Sequence, residues 1–308
     1  MSTPTLITIL GPTASGKTSL ATTLASHVNG EIISADSRQV FRGMDIGTGK
    51  DLSEYRINGV SIPYHLIDIC DPRTDEYNAY RFVNDFIDAF NGIIARGKQP
   101  ILCGGTGLYI DAIVRQYKLP DAPIDPIFRE SIAECSDGEL TQRLASYVPL
   151  HNHTDTDERQ RLIRALEIQE YRQLNPDSYT HIPPMQHSIF GLTFPRQDII
   201  ARIETRLDQR LEAGMIDEVQ RLMENGVSPE RLQKFGLEYR HITQFLLHQT
   251  TFNEMRERLF TDIRRFAKRQ MTWFRRMQRN GVQIDWIDGS IPLSEKVSKI
   301  ITKTIQQQ

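Results

Sequence analysis

Cysteine is scarce and scattered. The 308-residue chain holds three, Cys70, Cys103 and Cys135, with no Cys-x-x-Cys pair among them. That spacing argues against a zinc site or a disulfide framework and suits a reducing compartment. Net charge is lacking too: 37 Lys and Arg against 39 Asp and Glu leave a formal charge of -2. Nothing at the level of the whole chain therefore points to nucleic acid, although a local basic surface can hide in such an average. No apolar run approaches the ~18 residues of a membrane-spanning helix. The opening MSTPTLITIL lacks the basic stretch and long apolar core of a secretory leader. With 39% hydrophobic and 25% charged residues, the composition is that of an ordinary globular protein. The expectation is a soluble, cytoplasmic protein of one large domain with an insertion, or of two domains.

The first 115 residues read as alternating strands and helices. Apolar runs at Leu6–Leu10, Glu31–Asp36, His65–Cys70 and Pro100–Cys103 are separated by helical patterns, the clearest at 79–96 with Phe82, Phe86, Phe90 and Ile93 on one face. Strands alternating with helices at this spacing predict an α/β fold, a parallel sheet covered on both faces. From about 119 to 186 the texture turns polar and helix-prone, which predicts a helical insertion between a first core part (1–118) and a second (187–290). Ile189–Phe194 reads as a return strand, 198–224 as one long helix, 254–279 as another, and 291–308 as an exposed tail.

GPTASGKT, Gly11 to Thr18, satisfies the phosphate-loop pattern G-x-x-x-x-G-K-[ST] between a strand and a helix. Its members Gly11, Pro12, Thr13, Ala14, Ser15, Gly16, Lys17 and Thr18 form a P-loop: a backbone that can curl around phosphate oxygens, a lysine for the outer phosphate and a hydroxyl placed for Mg²⁺. Asp36 ends the second strand, at the edge where open α/β sheets bind ligands. From position alone it is a metal ligand, a general base, or the cap of a turn. GGTGLY (104–109) ends another strand at the same edge, and a turn with Thr106 as helix cap accounts for most of it. RRFAKRQMTWFRRMQR (264–279) carries seven basic residues and no acidic one. Ile263, Phe266, Phe274 and Met277 form its apolar stripe, and the opposite ridge is either a solvated face or a track for a phosphate backbone. HNHTDTDE (151–158) has no further ligand pattern and reads as loop rather than metal site.

In order, GPTASGKTSLA, DSRQVFRGMDIGTGK, PYHLID, PILCGGTGLYIDAI, RLIRALEI, PRQDIIARIETRLDQRLEAGMIDEV, GLEYR and FAKRQMTWFRR closely resemble the tRNA dimethylallyltransferases, over about residues 5 to 288. The phosphate loop alone is shared with many NTPases, but its combination with DSRQ, GGTGLY and FAKRQ-TWFR is far more specific. The resemblance implies a P-loop NTPase-like fold whose loop holds the diphosphate of dimethylallyl diphosphate. It implies transfer of the dimethylallyl group to N6 of the adenosine 3′ of the tRNA anticodon, with Mg²⁺ as cofactor and a single copy of the chain as the working form. Asp36 is then the base, Thr106 positions the leaving group, and Arg196 joins the loop on the diphosphate. Asp36, Ser37, Arg38 and Gln39 would meet the extruded adenine. Arg129, Gln160, Arg161, Leu162, Ile163, Arg164, Arg275 and Arg276 would hold the RNA.

Many members of that family read Gly-Thr-Ala-Lys-Pro where this chain has Gly-Thr-Gly-Lys-Asp at 47–51, and Asn-Asp where it has Asp157-Glu158. No cysteine follows Cys135, so the zinc finger of some eukaryotic members is absent. Competing readings are an adenine-nucleotide prenyltransferase, a small-molecule kinase binding ATP in the same loop, and a non-catalytic RNA-binding protein.

Overall fold

The computed structural model describes residues 3–147 and 159–306. The first 115 residues alternate as expected: β1 (Thr5–Leu10), α1 (Lys17–Val28), β2 (Gly30–Ala35), a small hairpin of β3 (Arg56–Ile57) and β4 (Val60–Ser61), β5 (Tyr64–His65), α2 (Ala79–Ala95), β6 (Gln99–Gly104) and α3 (Gly107–Val114). Three helices follow, α4 (Pro126–Ser131), α5 (Asp137–Tyr147) and α6 (Arg159–Leu174). The chain then forms β7 (Gln186–Thr193), α7 (Arg196–Glu212), α8 (Met215–Glu224), α9 (Pro229–Leu232), α10 (Leu237–Leu246), α11 (Phe252–Arg279), β8 (Asp285–Asp288) and α12 (Leu293–Gln306).

Six strands form one sheet in the order β5-β2-β6-β1-β7-β8, every neighbouring pair parallel. The central strands are buried along their length, which explains their continuous rather than alternating apolar character. Register matters more than order here. Leu10 pairs with Gly104 and with Gly191, and Gly104 pairs with Ala35. Three strands, β1, β2 and β6, thus end in one row beside β7, which runs two residues further, and Gly11, Asp36 and Gly105 leave the sheet together at its carboxyl edge. Ile7, Ile9, Ile32, Ile101 and Phe190 pack with Leu20, Leu24 and Ile300 in one core. A second core gathers Ile203, Leu207, Val219, Tyr239, Leu259 and Ile263 from the long C-terminal helices.

The chain divides into two units, residues 1–115 with 182–308, and residues 116–181. The second is helical, as its composition predicts, and has a small core of its own in Ile132, Leu140, Leu144, Leu162 and Leu166. The stretch HNHTDTDE at 151–158 lies outside the described residues.

Three expectations are corrected. The run His65–Cys70 is strand only over Tyr64–His65, because Leu66 and Asp68 adopt positive φ of 62° and 57° and turn the chain out of the sheet. The helix expected over 198–224 breaks at Gly214, φ 92°, into α7 and α8. The expected tail is mostly α12, whose Val297, Ile300 and Thr304 are buried and whose apolar face packs on the α1 side of the sheet. Spacing of Val297, Ile300, Ile301 and Thr304 at three and four residues is an amphipathic signal outweighed by the polar look of the last twenty residues.

Ile300→Ala is therefore expected to cost about 2–5 kcal/mol of stability, as truncating a fully buried Ile does, read from urea unfolding. A tail would leave the midpoint unmoved.

Candidate active site

The Gly11–Thr18 loop joins the end of β1 to the first turn of α1. Ala14 and Gly16 take positive φ of 61° and 77°, the curl that a phosphate-holding backbone needs. Lys17 folds back over the loop, its Nζ donating to the Pro12 carbonyl at 3.4 Å. Burial lowers the pKa of this ammonium from the ordinary lysine value; Arg206 and Arg210 push the same way and Asp36 opposes them. Beneath the loop, the Cys103 thiol donates to the Lys17 carbonyl at 3.6 Å, and burial pushes its pKa up to about 12. It is a packing group, protonated at any physiological pH.

Asp36 follows β2 directly. Its Oδ1 accepts from the Arg38 amide at 2.8 Å and the Gln39 amide at 3.3 Å, so one oxygen does cap a turn. Among the described residues no hydrogen bond reaches Oδ2, which is left available as an acceptor. Capping the turn with one oxygen fixes the direction in which the other points. Thr106 occupies the N-cap position of α3, yet its side chain makes no capping bond. Its Oγ1 instead accepts from the Ser37 amide at 3.1 Å. The hydroxyl proton is therefore free to be donated elsewhere. Ser34 and Gly49 hold Gln39, through Ser34 Oγ donating at 2.9 Å and Gln39 Nε2 donating to the Gly49 carbonyl at 3.1 Å. Arg38 donates to the Lys234 carbonyl at 3.1 Å.

Gln270 ties these loops together. The α11 residues Ile263, Ala267, Gln270, Phe274 and Met277 are all buried, an inward stripe at four- and three-residue spacing with one polar member. Gln270 Oε1 accepts from the Thr13 amide at 2.9 Å, while its Nε2 donates to the Gly105 carbonyl at 2.9 Å. The glycines of GGTGLY are explained by the same helix. A Cβ on Gly105 would collide with Gln270 Nε2, and one on Gly107 would lie 2.5 Å from the Trp273 indole. Phe266, expected in the stripe, is instead exposed, with the Arg269 guanidinium 5.9 Å over its ring.

The α7 side chain that touches the loop is Arg202, whose Nε donates to the Ala14 carbonyl at 2.8 Å. Arg196, the residue expected there, stands exposed at the first turn of α7. Arg202, Arg206 and Arg210 repeat at four-residue spacing along one face of that helix, which brings three guanidinium groups toward the loop and its neighbours. Arg206 Nη2 lies 2.6 Å from Asp51 Oδ2. Arg210 is partly buried, its side chain 13% exposed, and its pKa is pushed down to about 10, by desolvation first and by Arg206 second.

The expected RNA contacts have varied surroundings. Within the 116–181 unit Arg129 makes a two-pronged pair with Glu167, at 2.6 and 2.9 Å, and Arg164 binds the same carboxylate at 3.1 Å and the Ala122 carbonyl at 2.6 Å. Both order the unit, with part of each guanidinium still exposed. Gln160 and Arg161 are exposed. Leu162 is fully buried and Ile163 packs beside it, which corrects the expectation that the Leu162 side chain meets RNA. On α11, Arg275 is exposed and Arg276 stacks over Trp273, 4.1 Å from the ring centre, with Asp111 at 3.9 Å.

The IPP transferase family profile matches residues 39–277. The chain is 51% identical over 296 residues to tRNA dimethylallyltransferase 2 of Porphyromonas gingivalis, covering 96% of this chain and 98% of that one. It is 50% identical to tRNA dimethylallyltransferase 1 of Parabacteroides distasonis, covering 95% of each. The crystal structure of a tRNA isopentenylpyrophosphate transferase from Bacillus halodurans superposes with a TM-score of 0.71 at 34% identity, covering 98% of this chain and 96% of that one. A eukaryotic dimethylallyltransferase acting on tRNA shares the fold at a TM-score of 0.74 and 24% identity, covering 98% and 78%.

Gln270→Ala would leave the Thr13 amide and the Gly105 carbonyl unpaired in a buried setting, at about 1–3 kcal/mol for each group. A fall in kcat/KM of roughly 10- to 100-fold is expected, at the upper end if both penalties fall on the reacting geometry. Gln270→Glu keeps the acceptor for Thr13 but turns an oxygen toward the Gly105 carbonyl and adds a negative charge beside the loop. Its loss should fall mainly on KM for the phosphorylated substrate, measured by steady-state kinetics.

Proposed function

Because the chain belongs to the IPP transferase family, the tRNA dimethylallyltransferases, we propose that it transfers the dimethylallyl group of dimethylallyl diphosphate to N6 of the adenosine immediately 3′ of the anticodon, releasing diphosphate. The observation that carries this reading is the common edge of the sheet. There the phosphate loop, an acceptor oxygen on Asp36 and a donor hydroxyl on Thr106 emerge side by side.

The exocyclic amine of adenine is a poor nucleophile and keeps its protons at neutral pH. As the N6–carbon bond forms and the allylic carbon–oxygen bond breaks, Asp36 Oδ2 takes one of those protons and the electron pair of the broken bond leaves with diphosphate. Negative charge grows on that leaving group. Lys17, the loop amides and Arg202 face the charge, and Thr106 donates to an oxygen near the scissile bond. Arg202 takes the place the resemblance gave to Arg196, since it is the α7 side chain in contact with the loop.

Mg²⁺ fits the donor set. The described residues hold no group of three or more His, Cys, Asp or Glu side chains that could cage a metal, so the ion would be held by the Thr18 hydroxyl, substrate oxygens and water, as Mg²⁺ usually is beside phosphates. It would supply positive charge against the departing diphosphate.

The acceptor is an anticodon stem-loop, whose target base must leave its stack to reach a buried edge. Ser37, Arg38 and Gln39 stand beside Asp36 to receive it. The exposed side of α11, with Arg275 and Arg276, and Gln160, Arg161, Arg164 and Arg129 of the 116–181 unit carry the phosphate contacts. Among the described residues no helix is long and apolar enough to cross a membrane; we take the enzyme to act as a cytoplasmic monomer.

Mass spectrometry of an anticodon stem-loop incubated with enzyme, dimethylallyl diphosphate and Mg²⁺ tests the assignment, with AMP as a parallel acceptor and ATP as a parallel donor. One dimethylallyl group on the RNA alone is expected; prenylated AMP would reassign the acceptor, and ATP consumption without prenyl transfer would sink the reading. Asp36→Ala is expected to keep diphosphate binding while turnover falls by about 10²–10⁴-fold, the usual range for a lost general base. Equal loss of donor affinity would make Asp36 a binding residue instead. Replacing Arg275 and Arg276 with Ala should flatten the salt dependence of RNA binding, by nearly one unit of log–log slope for each phosphate that the protein then leaves to its counterions.

A further inference from the structure

The segment 45–51 passes beside α7 and is held in place twice over. Glu218, itself buried, accepts from the amides of Asp45 at 2.9 Å, Ile46 at 2.6 Å and Gly47 at 3.1 Å. Lys50, fully buried, binds the Phe41 carbonyl and the Asp45 carboxylate at 2.7 Å each, and also pairs with Asp68. Next in line, Asp51 is exposed and sits at φ 43°, in the left-handed region where Asp is better tolerated than most residues. Its carboxylate has another destination than the segment itself. Oδ2 lies 2.6 Å from Arg206 Nη2 and 3.9 Å from Arg210 Nη2.

Those two arginines belong to the same face of α7 as Arg202, which touches the loop. Arg210 Nη2 is buried with no hydrogen-bond partner among the described residues. Gly49 makes room for it: a Cβ there would collide with that nitrogen. Thr13 and Ala14 of the phosphate loop line one small cavity with Arg206 and Arg210. Cationic groups are thus gathered beside the loop, one of them with a buried nitrogen short of hydrogen-bond partners, and an exposed carboxylate answers them.

We propose that Asp51 is an internal counter-ion that occupies Arg206 and Arg210 in the free enzyme and competes with diphosphate for them, so that it weakens the hold of the site on donor and on released diphosphate. This rests on reading the Gly11–Thr18 loop as a diphosphate site. An incoming phosphate chain must either pull Arg206 from Asp51 or tolerate a carboxylate at close range, and both cost affinity. Since Glu218 and Lys50 already fix the segment, removing the Asp51 charge leaves the loop in place and the arginines uncompensated. Asp51 is a positioning residue, acting on diphosphate through the arginines.

The test is calorimetric titration of the full chain with inorganic diphosphate and Mg²⁺, for the parent protein, Asp51→Asn and Asp51→Glu. The Asn variant is expected to bind about fivefold more tightly, the scale of a partly exposed ion pair, and the Glu variant to return toward the parent value. In turnover, diphosphate should inhibit the Asn variant at correspondingly lower concentration, while the rate of a single turnover is little changed. If the parent binds diphosphate and the Asn variant binds it equally or more weakly, Asp51 supports the arginines instead and the proposal is overturned. If the parent binds no diphosphate at all, the reading of the loop falls, and the proposal with it.

Discussion

One side chain makes the candidate site a unit. The sheet delivers three loops to the same edge, but strand register alone does not fix how loops stand relative to one another. Gln270 does so for two of them, accepting from the Thr13 amide and donating to the Gly105 carbonyl through a buried amide. A primary amide offers an acceptor and a donor about one carbon that do not change with pH or tautomer. It therefore joins an N–H of one loop to a C=O of another without bringing a charge beside a phosphate site. The third loop is attached by Thr106, which accepts from the Ser37 amide. Phosphate loop, Thr106 turn and Asp36 turn form one hydrogen-bonded chain.

That chain explains why two distant stretches occur together. GGTGLY reads alone as a generous turn, because glycine suits any close approach. Against α11 each requirement is specific: the Gln270 amide leaves no room for a side chain at Gly105, and the Trp273 indole none at Gly107. The basic helix accordingly has two faces with separate duties. Its inward stripe locks the site, and its outward face carries the exposed Arg275 beside Arg276, which lies over Trp273; in the proposed function that face meets RNA. A change on the inner stripe should appear in chemistry, one on the outer ridge in binding.

Much of this architecture is legible in the amino-acid order alone. Parallel alternation, the glycine loop, the positions of Asp36 and Thr106, and the helical texture of the insertion all follow from periodicity and turn chemistry. What stays hidden depends on packing across long sequence distances. Gln270 is visible only as a polar residue breaking an apolar stripe, and nothing local says what it binds 165 and 257 residues away. Arg202 is hidden among the arginines of α7, where spacing places four of them but only tertiary packing selects the one at Ala14. Leu162 shows the reverse error: it sits inside a motif shared with RNA-modifying enzymes, yet its place in that motif is a core position. One motif mixes side chains that touch a partner with side chains that hold the first kind still. The C-terminal helix passes for a tail because its buried face is only a few residues wide and the rest of it is polar.

The phosphate loop itself says least about the chemistry. In a phosphoryl-transfer enzyme such a loop holds the group that moves, and an acceptor must approach in line with the terminal phosphorus. Here the residues around the loop suit a different demand. Asp36 is aimed by two backbone amides on one oxygen, which leaves the other open as a hydrogen-bond acceptor. Thr106 has its lone pair engaged and its proton free. Among the cations of α7, Arg202 donates to the Ala14 carbonyl, and Arg206 and Arg210 line a small cavity with Thr13 and Ala14. In the proposed function such a site would stabilise charge on a departing diphosphate while an acceptor loses a proton a short distance away, and the attack falls on carbon, so no group need approach phosphorus. The neighbours of the loop, more than its own glycines, separate prenyl transfer from phosphoryl transfer.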